Sequence, residues 1–133
     1  MNKKFLVFTI MLVVLISLIG CVQLSNPYTH TCGPEVTLKI ISEGNSLLFG
    51  GKQACFEETN AFEAVKIMLD NNLEYDEYDF GVFITSILGV TPKENEFWSL
   101  YINGEKAAMG ISAYNISENI LIEFKLEELQ TFE

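Results

Sequence analysis

Asn60-Ala61-Phe62-Glu63-Ala64-Val65-Lys66-Ile67-Met68-Leu69-Asp70-Asn71 is the stretch on which the fold class turns. Asn60 and Glu63 have the spacing of a capping box, in which side chains satisfy the free amides at a helix start. Ala61, Phe62, Val65, Met68 and Leu69 then recur at three- and four-residue intervals, while Glu63, Lys66 and Asp70 fall on the other side. The spacing predicts a helix from Ala61 to about Asn71 with one apolar stripe, and that stripe needs a sheet to cover. On the N-terminal side, residues 35–42 place Val36, Leu38 and Ile40 on one face and Thr37 and Lys39 on the other, the pattern of a half-buried strand. Ser46 to Phe56 reads as a second strand interrupted by a bulge or turn at Gly50-Gly51. On the C-terminal side, Glu74 to Asp79 reads as an acidic, aromatic connector, and Val82–Ile87 and Phe97–Asn103 read as short strands either side of the Thr91-Pro92 turn. Asn103-Gly104 is a two-residue hairpin signal, since both residues accept positive φ. Ile120, Ile122, Phe124 and Leu126 alternate and close the sheet. Two strands, one helix and several more strands make an α+β chain, a β-grasp-like mixed sheet with one packed helix.

The first twenty residues are of another kind. Lys3 and Lys4 precede fifteen residues, Phe5 to Ile19, of which only Thr9 and Ser17 are polar. This is the pattern of an export signal, and it is shorter than the roughly 18–20 apolar residues that span a bilayer comfortably. Leu18-Ile19-Gly20-Cys21 resembles the lipobox of prokaryotic lipoproteins. That resemblance implies cleavage before Cys21, lipidation of Cys21 and a protein held on the extracytoplasmic face of the cell membrane by its acyl chains. The organisation is then a cleaved signal segment over residues 1–20, a lipidated cysteine and tether over 21–34, and one domain over 35–133.

The 133 residues carry 8 basic groups, all lysine, against 18 acids, a formal charge of −10. Nucleic acid is disfavoured as a partner: the phosphate backbone would meet net repulsion, and arginine's planar fork is absent. Two thiols follow Cys21. Cys32 and Cys55 are either bridged, as an oxidising compartment permits, or unpaired. With His30 they make three ligands and no Cys-x-x-Cys, a poor metal set, so no metal site is assigned. The acids of 74–79 lack the spacing and central glycine of a twelve-residue calcium loop and read as a solvated face.

Enzymatic chemistry has little to work with. The single histidine, His30, falls in the tether, and no Gly-x-Ser-x-Gly or cysteine–histidine arrangement supplies an activated nucleophile. Gly50-Gly51-Lys52 is too short for a phosphate loop. No catalytic residue is assigned, and the inventory describes a binder. Asn115-Ile116-Ser117 also fits the glycosylation sequon, a short pattern that occurs by chance.

Phe97-Trp98-Ser99-Leu100-Tyr101-Ile102-Asn103-Gly104, then Met109-Gly110-Ile111-Ser112-Ala113-Tyr114, then Ile120 to Leu126 resemble the transcobalamin-like C-terminal domain. With the helix and the Phe80-Gly81-Val82-Phe83-Ile84 stretch the resemblance covers about residues 35–127. One departure stands at Glu118-Asn119, where that family usually has Gly-Asp before its last strand. The resemblance implies a β-grasp-like module that covers one face of cobalamin or another corrinoid. In the transcobalamins this module works against a second, helical domain, which this chain lacks. Carried over position by position, Trp98, Ser99 and Leu100 would face the ligand, with Gly110 and Ile111 beside them. The residues themselves leave a second reading of Trp98 open, because it shares a strand face with Leu100 and Ile102 and so fits the core equally. Tyr101 and Tyr114 read as structural. The expectation is a lipid-anchored extracytoplasmic ligand-binding module that needs no cofactor, with a corrinoid as candidate ligand. The alternative is a surface interaction or adhesion domain whose sheet edge pairs with a protein partner.

Overall fold

The computed structural model describes Lys3 and residues 32–130. The leader, Cys21 and His30 lie outside the described residues. Strand β1 (Glu35–Ile41) runs through a short 3₁₀ turn at Glu43–Asn45 into β2 (Leu47–Cys55). A two-residue strand β3 (Thr59–Asn60) leads directly into helix α1 (Ala61–Met68). There follow β4 (Leu73–Tyr78), β5 (Gly81–Ile87), β6 (Glu96–Ile102), β7 (Glu105–Lys106), a 3₁₀ turn at Ile111–Ala113, β8 (Asn115–Ile116) and β9 (Ile120–Glu128).

Five strands form one mixed sheet in the order β2-β1-β9-β6-β7. Its centre is the parallel pair β1–β9, with Val36 opposite Ile120 and Ile40 opposite Phe124, and antiparallel partners flank it on both sides. This is the α+β, β-grasp-like arrangement. Alternation does the sorting. Val36, Leu38 and Ile40 of β1 and Ile122 and Phe124 of β9 are at most 2% exposed, and they form one core with Ala61, Phe62, Ala64, Val65 and Met68 of α1. Burying side chains of this size contributes roughly 1.5–3 kcal/mol each for the large ones.

The helix starts as its sequence dictates: Asn60 Oδ1 accepts the Glu63 amide at 3.0 Å. The reciprocal half of the capping box is replaced, because the Glu63 carboxylate turns to Lys66 Nζ at 3.3 Å. The helix ends at Met68, three residues before the expected end at Asn71. Asp70 and Asn71 adopt φ of 51° and 59°, a left-handed stop that asparagine and aspartate tolerate, and Lys52 Nζ donates to the Met68 carbonyl at 3.0 Å. In β2 the glycine pair is a bulge, with Leu38 opposite Lys52, Lys39 opposite Gly50, and Gly51 left over at φ 67°. Asn103 and Gly104 take φ of 52° and 85° and close the β6–β7 hairpin.

Residues 74–79 correct the sequence reading. They are not a connector: Leu73–Tyr78 is strand β4, paired antiparallel with β5 from Leu73–Ile87 to Tyr78–Gly81. Leu73 is buried and Tyr75 packs edge-on against Phe62, ring centroids 4.7 Å apart. The acids Glu74, Asp76 and Glu77 are exposed. A charge run on the solvent side masked the alternation. The β4–β5 hairpin is a separate two-stranded sheet.

The thiols are bridged. Cys32 and Cys55 form a disulfide with Cα atoms 5.7 Å apart, fastening the segment before β1 to the end of β2. Pro34 accepts from the Phe56 amide at 3.1 Å and Asn119 Oδ1 accepts from the Glu35 amide at 2.9 Å, so the same end of the sheet gathers the starts of β1 and β9 and the end of β2. The N-terminus of α1 lies at this end too, through Ala61 N–H donating to Tyr114 C=O and the β3–β8 pair.

Candidate functional site

The five residues carried over from the resemblance do not share a surface. Trp98 is 8% exposed and its indole N–H donates to the Val90 carbonyl at 3.3 Å. Ser99 points to the opposite sheet face, 3% exposed, and donates to Glu127 Oε2 at 2.6 Å. Leu100 is half-buried against the core and Ile111 is 2% exposed within it. Gly110 alone is exposed. A side chain built on it would lie 3.6 Å from the Val82 carbonyl, so this segment runs alongside β5.

The sheet face turned away from α1 carries an ionic cluster centred on Glu127. Glu127 accepts from Ser99 Oγ at 2.6 Å, Tyr101 Oη at 2.5 Å and Lys106 Nζ at 2.9 Å. Partial burial alone would raise its pKa, but these three donors and the Lys106 charge bring it down to about 2. The same hydrogen bond pushes the Tyr101 phenol up and raises Lys106. Lys125 Nζ sits 4.0 Å from the Tyr101 ring centroid, and Lys39 approaches Glu123 at 4.0 Å. Around Glu127 donors and acceptors are matched to one another, and a polar hollow of about 280 Å³ lies beside Glu35, Thr37, Gln53 and Asn119. Tyr101 is tied into this network by its bond to Glu127.

The other side of β6 is different. A cleft of about 250 Å³ opens between β5 and the Thr91–Trp98 segment, floored by Ile84, Trp98 and Pro92 and rimmed by Phe83, Phe97 and Thr85. Its walls are mostly apolar. The rim residue Phe83 is 56% exposed, because β5 turns Val82 and Ile84 inward and leaves the residue between them facing out. Its charged groups are Lys93 and Glu96. Glu96, whose side chain is 3% exposed, accepts the Lys93 amide at 2.9 Å and pairs with Lys93 Nζ at 3.4 Å. The cleft therefore joins apolar contact area to a fixed charged corner, the mix that small-molecule sites use. Trp98, though buried, is among the residues that line it.

Phe83 was not singled out as a site residue by the sequence. The signal was present as an aromatic out of phase with the inward residues of its strand. A second hollow, about 430 Å³, lies along β3 and β8 beside Glu58, Asn60, Asn115 and Ser117, and is more polar. Among the described residues no three histidine, cysteine, aspartate or glutamate side chains come together as a metal set, and no helix is long and apolar enough to cross a membrane.

Solved structures that share this fold include the following two. A "putative metal binding protein" from Ruminococcus gnavus superposes with a TM-score of 0.64 at 16% identity, over 73% of this chain and 99% of its own. Haptocorrin in complex with Cbi superposes with a TM-score of 0.55 at 17% identity, over 74% of this chain but 26% of its own length. These likenesses establish the fold as the transcobalamin-like one. No curated protein matches the sequence. The model of the family described as a domain of unknown function, DUF4430, matches residues 59–128, from β3 through α1 and both hairpins to the last residue of β9, and the chain belongs to that family.

Proposed function

We propose that this protein is a lipid-anchored extracytoplasmic binding module that captures an amphipathic small molecule, a corrinoid being the candidate, on the cleft between β5 and the Thr91–Trp98 segment. The observation that carries the proposal is Phe83, an exposed aromatic on the rim of an apolar cleft that has Trp98 in its floor. A corrinoid offers broad apolar faces and neutral amides, which aromatic surface and a few polar groups bind without arginine. The haptocorrin likeness supports the ligand class, since that protein shares the fold and was captured with Cbi. A cleft of this size covers only part of so large a molecule, so affinity in isolation is modest, and tight capture requires a second protein surface. The module acts by binding and carries no catalysis of its own.

Titration calorimetry of cobinamide and cobalamin against the purified protein tests this. Saturable binding is expected, and Phe83→Ala should weaken it about tenfold or more, the worth of one buried aromatic. Absence of heat and of any change in the corrin absorption at high micromolar ligand would rule the corrinoid out.

One feature favours the second reading. Strand β2 is one of the sheet's two edges, it is nine residues long, and Leu47 and Leu48 are 61% and 41% exposed on it. An exposed edge, even one interrupted by a bulge, can accept a strand from a protein partner. A stoichiometric partner cross-linked in native membranes and lost on Leu48→Lys would support it.

A further inference from the structure

The tip of the β4–β5 hairpin carries the most exposed large hydrophobic side chain among the described residues. Phe80 is 86% exposed, and Tyr78, 50% exposed, stacks on it with ring centroids 5.1 Å apart and planes within 3°. A stacked aromatic pair in water protects only part of its own area, so the tip remains costly to leave in solvent. The next segment adds to it. Val82 N–H donates to Ser112 Oγ at 3.3 Å and Gly110 runs beside Val82, which brings the neighbouring Met109, 56% exposed, to the same region.

The position of this tip is set by the fold. The 3₁₀ turn Ile111–Ala113 packs against both β5 and the helix, and Tyr114 accepts from the first amide of α1. The tip therefore lies at the N-terminal end of α1, the end where Cys32–Cys55 fastens the incoming chain and where β1 and β9 begin. Between Cys21 and Gly33 there are twelve residue steps, at most about 40 Å of extended chain. We propose that the hairpin tip docks on the bilayer that carries the anchor, with Phe80 and Tyr78 seated in the headgroup region and the domain standing on its tether end. This rests on the anchored reading of Cys21.

Aromatic rings favour that interfacial layer, and a tether this short keeps the tip at high effective concentration, so a contact too weak to hold a free protein is occupied. The charge around the tip fixes the kind of surface. Asp76, Glu77 and Asp79 flank the rings, and anionic headgroups would be repelled, so the partner is a neutral or zwitterionic lipid surface.

Phe80→Trp tests this in the full, processed chain reconstituted in phosphatidylcholine vesicles. The native Trp98 is buried and supplies a constant background. In vesicles whose acyl chains carry bromine, the added indole should be quenched about twofold or more, whereas Leu47→Trp, at the far end of the sheet, should not be. The intact mass of the same preparation reads the lipid on Cys21. With lipid present, an unquenched Phe80→Trp overturns the docking alone, and equal quenching of Leu47→Trp overturns the orientation on which it rests. A mature chain without lipid overturns the anchored reading and the docking together.

Discussion

Glu127 gathers three hydrogen bonds on two oxygens, and the consequence is measurable as acid lability. Its folded pKa, about 2, lies below the ordinary carboxylate value, so its stabilisation is complete above about pH 4.5 and is lost as pH falls towards 2. With solvent screening on a partly exposed surface, the amount is on the order of 1–2 kcal/mol. Urea unfolding followed between pH 6 and pH 2 should show that loss, and Glu127→Gln should start lower and vary less across the range. Trp98 and Phe83 make the complementary pair. Trp98→Ala should cost about 3–5 kcal/mol because it empties a packed site, while Phe83→Ala should change stability by no more than about 0.5 kcal/mol. Thermal melts of the two variants distinguish them. The sequence could not separate these aromatics by role: alternation put Trp98 with Leu100 on one strand face, but whether that face met core or ligand depended on what the β4–β5 hairpin covers, and that contact is non-local.

At the scale of elements, most of the architecture was legible because local chemistry and burial agree. Asn60 is a cap in both, Gly51 is the bulge residue, and Asn103-Gly104 is the turn. Asn60→Ala should cost about 1 kcal/mol, and Gly51→Val more than that, since a β-branched residue at φ 67° is strained; both are read from chemical-denaturation midpoints. Strand β4 was illegible for a physical reason. Three of its six residues are acids, and its inward residues are only Leu73 and Tyr75, separated by a register shift after Glu74, so the period-two signal is broken where it would be read. The cleft depends on this hairpin, and the candidate site was hidden along with it. What the residues did convey was the inward–outward phase of β5, which left Phe83 outside.

For the whole molecule, the disulfide and the central parallel pair set the behaviour. Cys32 and Cys55 are 23 residues apart, and reducing their bond should lower stability by roughly 3 kcal/mol on the chain-entropy account, seen as a fall in Tm that Cys32→Ser with Cys55→Ser reproduces. The mixed sheet itself was inferred from element order alone, but its exact neighbours were not, because parallel pairing of the first strand with the last leaves no turn between them to betray it. That pairing also orders events in time. β9 lies between β1 and β6, so the sheet has no middle until the final strand has been made. A ribosome that still holds the last stretch therefore holds back the closing of the sheet. A stop codon between Lys106 and Ile120 would leave two orphaned half-sheets, β2–β1 and β6–β7, rather than a smaller version of the protein.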